Sequence, residues 1–235
     1  MDSNRKTAIA IGALFIIGTV AGVLSMLVTN SILTAPDYLT QVAAHPNQMV
    51  IGALLVLVMG LSLAMVPVVF YPLGKKYSQV LAMGYVVFRG AIETTIYIAV
   101  AFGWLVLITL GEQSAKAGGA TVAYFGSSGA LLVAANSWMF DKLLAIVFSL
   151  GALMFYYVLF ESRLVPRWLS IWGLAGAAIY LGAPLLGMFG VSAGFLMAAL
   201  AVQEMVMAIW LIVKGFESPE TTTIAAEQTR RSVGG

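Results

Sequence analysis

Apolar residues gather in six long runs, at 7–29, 49–73, 80–110, 137–160, 169–188 and 193–213, with short polar stretches between them. Each run is close to or above the roughly 20 residues needed to cross the hydrocarbon core of a bilayer. None alternates with period two, as the strands of a membrane barrel would. The pattern predicts an all-α integral membrane bundle of six transmembrane helices. Residues 1–215 make up this domain, and the polar, Thr-rich stretch 216–235 is expected to be a disordered cytoplasmic tail.

The polar stretches differ in character. In 31–48, Thr34, Pro36 and Asp37 carry the signals of a helix start, so a short interfacial helix is expected there. Tyr38, Leu39 and Val42 would share its apolar face, and His45-Pro46 would end it. The second spanning helix is expected from a capping Asn47 to Gly74, with Pro67 inside it. The segment 111–136 is broken by Gly118, Gly119, Gly126 and Gly129, and it reads either as a surface helix or as a re-entrant loop. Asn136 would cap the fourth span and Asp141 would favour its positive end.

Composition agrees: 61% of residues are hydrophobic, 9% are charged, and mean hydropathy is +0.97, which excludes a soluble domain. Charge then orients the bundle. With the N-terminus inside, nine of the twelve Lys and Arg (Arg5, Lys6, Lys75, Lys76, Arg163, Arg167, Lys214, Arg230 and Arg231) are cytoplasmic, and only Lys116 and Lys142 lie outside. Both termini are expected in the cytoplasm, and the net charge of +2 reads as topology and anionic-lipid contact, with no nucleic-acid partner implied. Arg5 and Lys6 resemble the charged start of a signal peptide, but the apolar run behind them is too long, so a retained helix is expected.

Three charges lie near the middle of the apolar runs. Arg89 and Glu93 are spaced i, i+4 on one helix face, and Glu204 interrupts the last run with only Gln203 as a polar neighbour. Each such residue carries an insertion penalty of roughly 2.5 to 3.5 kcal/mol, so it has to be paired, wetted or used. Arg89 can bridge both glutamates. Arg89, Glu93, Glu204 and Gln203 are therefore the candidate ligand- or proton-binding residues; the alternative is a buried ion pair that only orients helices. Splitting the chain near Asn136 also gives two three-helix halves, each with a proline in its second helix (Pro67, Pro184) and a glutamate in its third (Glu93, Glu204), as inverted repeats would have.

Other chemistries find little support. The chain has no cysteine and one histidine, His45, which removes thiolate nucleophiles, bis-histidine haem and multi-histidine zinc, so no metal site and no cofactor is expected. Gly126-Ser127-Ser128-Gly129 matches the nucleophile motif of rhomboid proteases, yet His45 in a loop cannot supply the membrane-helix base. Lys75, Lys76, Lys116, Lys142 and Lys214 sit at helix ends or in loops, where a retinal Schiff base would not form. The small residues of the fifth span, among them Gly173, Gly176, Ala177, Gly182 and Ala183, suggest close helix packing; the oligomeric state stays open.

Residues 4–8 leading into 12–22, Asn47-Gln48 ahead of 51–55, and above all the Phe-Arg-x-x-x-Glu stretch at Phe88-Arg89 to Glu93 resemble a bacterial membrane-protein family catalogued as domain of unknown function 4386. The likeness runs from Asn4 to about Val213. It implies a multi-pass protein of the bacterial cytoplasmic membrane and brings no activity or cofactor with it. The reading that follows is binding or translocation of a small solute, a lipid-like molecule or a proton through the buried Arg/Glu cluster. A membrane-embedded accessory or sensor protein is the alternative, and an intramembrane enzyme the third reading. The lipid bilayer is the expected surrounding, and a small-molecule or lipid ligand the expected partner.

Overall fold

The computed structural model describes residues 3–118, 120–191 and 193–217, and every regular element in them is helical. In chain order these are α1 (Ser3–Leu33), α2 (Tyr38–Ala44), α3 (Pro46–Gly74), α4 (Gln79–Tyr85), a π-helical segment Val86–Ile92, and α5 (Glu93–Lys116). There follow α6 (Ala120–Trp138), a second π segment Met139–Leu143, α7 (Leu144–Ser162), α8 (Arg167–Met188), a 3-10 turn Gly194–Met197 and α9 (Ala198–Val213). Six helices are long and apolar enough to cross a membrane: Ser3–Leu33, Pro46–Gly74, Gln79–Lys116, Thr121–Ser162, Arg167–Met188 and Gly194–Val213. The segment expected to be a disordered tail lies, from 218 onward, outside the described residues.

Neighbouring spans form a ring: α1 packs on α3, α3 on the third span, the third span on α7, α7 on α8, α8 on α9, and α9 back on α1. The first half thus repeats the neighbour relations of the second, with seams between halves at α1/α9 and at the third span/α7. The ring closes at the end where the chain enters. Arg5 donates from Nη1 to the Leu211 carbonyl (3.3 Å) and from Nη2 to those of Ile212 (2.7 Å) and Val213 (3.1 Å). These are among the last carbonyls of α9, which lack partners within the helix, and a cation there also meets the negative end of the helix dipole. Arg5→Ala should lower stability by about 1 kcal/mol. Thermal unfolding in detergent checks this, and an unchanged midpoint would mean that water serves those carbonyls equally well.

Local sequence explains most boundaries. Ser78 caps α4 by accepting from the Leu81 N–H at 3.3 Å, and Arg163 ends α7 in the left-handed conformation (φ 53°) before Pro166 resets the direction for α8. Pro46 takes the first position of α3, so Asn47 lies inside the helix and is not its cap, a shift explained by proline's fixed φ. Pro67 sits within α3, as expected. Leu39 and Val42 of α2 are buried, and the Tyr38 hydroxyl donates to the Gly126 carbonyl at 3.1 Å; burial raises the pKa of this phenol.

The segment 111–136 needs correction. It is neither a separate surface helix nor a re-entrant loop: α5 and α6 form a helical hairpin continuous with the third and fourth spans, which are 38 and 42 residues long. At 1.5 Å per residue these rods measure about 57 and 63 Å, against a hydrocarbon core of about 30 Å. Their extra length packs over α2 in a second small core of Ile32, Leu39, Val42, Met49 and Leu107. Gly129 lies against Tyr38 and Leu39, and Ser127 donates to its own helix at Ala123 (3.1 Å), so the glycine-serine motif makes helix contacts. Because α6 runs through it, Asn136 is a buried mid-helix residue and not a cap, and Asp141 sits in the second π segment rather than at a helix start. Four small residues of the fifth span, Gly173, Gly176, Ala177 and Ala183, are buried as expected, whereas a side chain added at Gly182 would meet open space.

Candidate functional site

The third span places its inward side chains at intervals of four. Tyr85, Arg89, Glu93, Tyr97 and Ala101 are all buried. In a regular α-helix a four-residue step overshoots one turn by about 40°, so such a row winds away from any fixed neighbour. The π segment takes up this drift: the Glu93 N–H donates to the carbonyl of Phe88, five residues back. The second π segment does the same on the facing helix, where the Leu144 N–H reaches Met139, and Asn136, Leu144, Phe148, Ala152 and Tyr156 are buried at spacings of four or eight. Two rows thus face each other across the interior.

Arg89 is the largest fully buried side chain. Its Nη1 lies 3.7 Å from Glu93 Oε2 and its Nη2 donates to Glu204 Oε1 at 3.4 Å, so one guanidinium on the third span joins carboxylates from its own helix and from α9. The guanidinium carbon stands 4.4 Å from the centre of the Phe148 ring and 5.7 Å from that of Phe15. Aromatic faces and two anions therefore replace its hydration shell. The contact is incomplete, because Arg89 Nε and both carboxylate oxygens of Glu93 have no hydrogen-bond partner within the protein. By residue count the cluster lies about 15 Å from the Arg5 end of the bundle, roughly half the thickness of a hydrocarbon core.

The two glutamates differ in access. The Glu93 side chain is 1% exposed and that of Glu204 is 15% exposed. Glu204 and Arg89 line a cavity of about 220 Å³, walled by Tyr97, Phe148 and Tyr180. Gln203 points elsewhere: its Oε1 accepts from the Tyr156 hydroxyl at 2.6 Å and its Nε2 donates to the Leu169 carbonyl at 3.0 Å, locking α7, α8 and α9 together. Arg89, Glu93 and Glu204 are brought into one cluster, while Gln203 belongs to a separate polar junction. The tyrosines are new, although Tyr85 and Tyr97 continue the four-residue spacing of Arg89 and Glu93 and were legible on that ground. Among the described residues no group of three His, Asp or Glu is placed to hold a metal ion.

Fold and site together define a multi-pass helical membrane protein with an arginine-centred carboxylate cluster in its interior. Residues 10–215 match the family described as Domain of unknown function (DUF4386), and the chain belongs to that family. No curated protein and no solved structure matches it.

Proposed function

We propose that this protein binds or translocates a small solute at the Arg89–Glu204 cavity, with Glu204 exchanging a proton. The observation that carries this reading is the charge of the cluster: one guanidinium faces two carboxylates, with no other ion pair among the described residues. Fully ionised, the cluster holds one excess negative charge. Such a charge in an apolar interior is costly, and a proton or a cationic group removes the cost. Glu204 is the carboxylate that the cavity reaches, so it is the one placed to trade that proton.

Infrared difference spectra recorded across a pH titration test the assignment. A protonated-carboxyl band is expected in the native protein; it should move to lower pH in Glu93→Gln, where one guanidinium and one carboxylate balance, and vanish in Glu204→Gln at native melting temperature. A band that survives in Glu204→Gln would overturn the assignment. A sharp fall in melting temperature in that variant would instead favour the accessory or sensor reading, in which Glu204 serves only to hold Arg89.

The same reading places the protein in the cytoplasmic membrane with both termini inside and α2 at the outer surface. Its support is the charge asymmetry between the two ends of the bundle, since Arg5, Lys6, Lys75, Lys76, Arg163, Arg167 and Lys214 share one end. In whole cells, Lys75→Cys should resist a membrane-impermeant maleimide until the membrane is opened. Immediate labelling would reverse the orientation.

A further inference from the structure

A second cavity, of about 320 Å³, lies between α1, α5 and the fourth span, toward the α2 end of the bundle. We infer that it is a binding site for a small alkylammonium ion. This goes beyond the reading above and does not depend on it.

Among the side chains that line this cavity, Thr29, Thr34 and Asn136 present acceptors whose donors are already engaged, while Asn30, Ser137 and Trp104 can also donate. Thr29 spends its only hydroxyl proton on the Ser25 carbonyl at 2.9 Å, and Thr34 spends its own on the Asn30 carbonyl at 2.7 Å. Each hydroxyl can therefore only accept from the cavity side. Asn136 behaves alike: its Nδ2 donates to the Val100 carbonyl at 3.4 Å, while its Oδ1 is buried and has no partner. Asp141 contributes a carboxylate that forms no ion pair, because both ion pairs among the described residues belong to Arg89. Asp141 is exposed and lines the adjoining cavity as well, where its neighbour Lys142 lies against Gly187 of α8.

The acceptors of Thr29, Thr34 and Asn136 beside the unpaired Asp141 carboxylate suit a ligand with several donors and a positive charge. An ammonium group has three donors and no acceptor. Trp104 and Phe140 supply aromatic walls for its alkyl part, and aromatic rings also favour a cation over a neutral group. The volume stands at the lower end of ligand pockets, which suits a small guest. The second π segment is what makes the site: it carries Phe140 and Asp141 into the cavity while the same helix turns Leu144 and Phe148 toward Arg89.

Calorimetric titration of the full-length protein in detergent tests this, with n-butylammonium chloride as probe and n-butanol and sodium chloride as matched controls. Saturable binding of butylammonium alone is expected. Asp141→Asn, which preserves shape, should weaken it roughly tenfold or more, and Thr29→Val should weaken it less. Should Asp141→Asn fail to fold, Thr29→Val carries the test. Glu204→Gln should leave the affinity unchanged, which separates this site from the deeper cluster. Absence of saturable binding, equal binding of sodium, or affinity that Asp141→Asn and Thr29→Val both leave intact would each overturn the proposal. Loss of binding in Glu204→Gln would overturn it too, by placing the ion at the deeper cluster.

Discussion

Arg89→Leu is expected to destabilise the bundle by about 3 to 5 kcal/mol, the cost of leaving buried charges without their partner. The geometry makes the loss large: Glu93 has no hydrogen-bond donor on either oxygen, and its nearest cation is the Arg89 Nη1 at 3.7 Å. Glu93→Leu removes one carboxylate and leaves Arg89 with Glu204, so it should cost less. The double variant Arg89→Leu, Glu93→Leu should fall short of the sum of the two single changes, because the second change removes a charge that the first had stranded. Unfolding in mixed micelles measures all three. Strict additivity would mean that the two side chains do not feel each other.

Gly173→Leu is the second large effect. A Cβ at this position meets the ring of Tyr156, which is fully buried and donates to Gln203 Oε1 at 2.6 Å. The added side chain must displace the ring. Overpacking costs about 1 to 3 kcal/mol, and stranding the Gln203 oxygen about as much again. Gly182→Leu, on the same helix but facing open space, is the control and should be close to neutral. Melting temperatures of the two variants, measured side by side, decide the matter. Equal losses would trace the effect to the helix backbone and not to the Tyr156–Gln203 junction.

The number and course of the spans were legible because hydrocarbon permits only long apolar helices, and these leave runs too long to misread. The meeting of Arg89 with both Glu93 and Glu204 was legible for a related reason: three midspan charges in apolar surroundings have few partners except one another. What escaped the sequence depends on register and length. Glycines at 118, 119, 126 and 129 suggest interruption, yet α6 continues through 126 and 129, with Gly129 pressed against α2. Tertiary packing there overrides local propensity. A π turn leaves no composition signal of its own, so the inward aim of Tyr85 and Tyr97 shows only once the four-residue spacing is set against the 3.6-residue turn. Gln203 and Glu204 are adjacent in the chain but serve different neighbours, since consecutive residues on a helix point about 100° apart.

The seam between the first and last spans also has a temporal side. The chain is made from its N-terminus, so α1 has no α9 to hold, and Arg89 has no Glu204, until the final span is complete. During that interval the third span enters the membrane with Glu93 as the sole counter-charge for Arg89. The i, i+4 pair is thus a travelling companion for the arginine, carried on the same helix and present from the start. Glu204 comes last, and its arrival both closes the circle of helices and converts a neutral pair into a cluster able to take up one more positive charge.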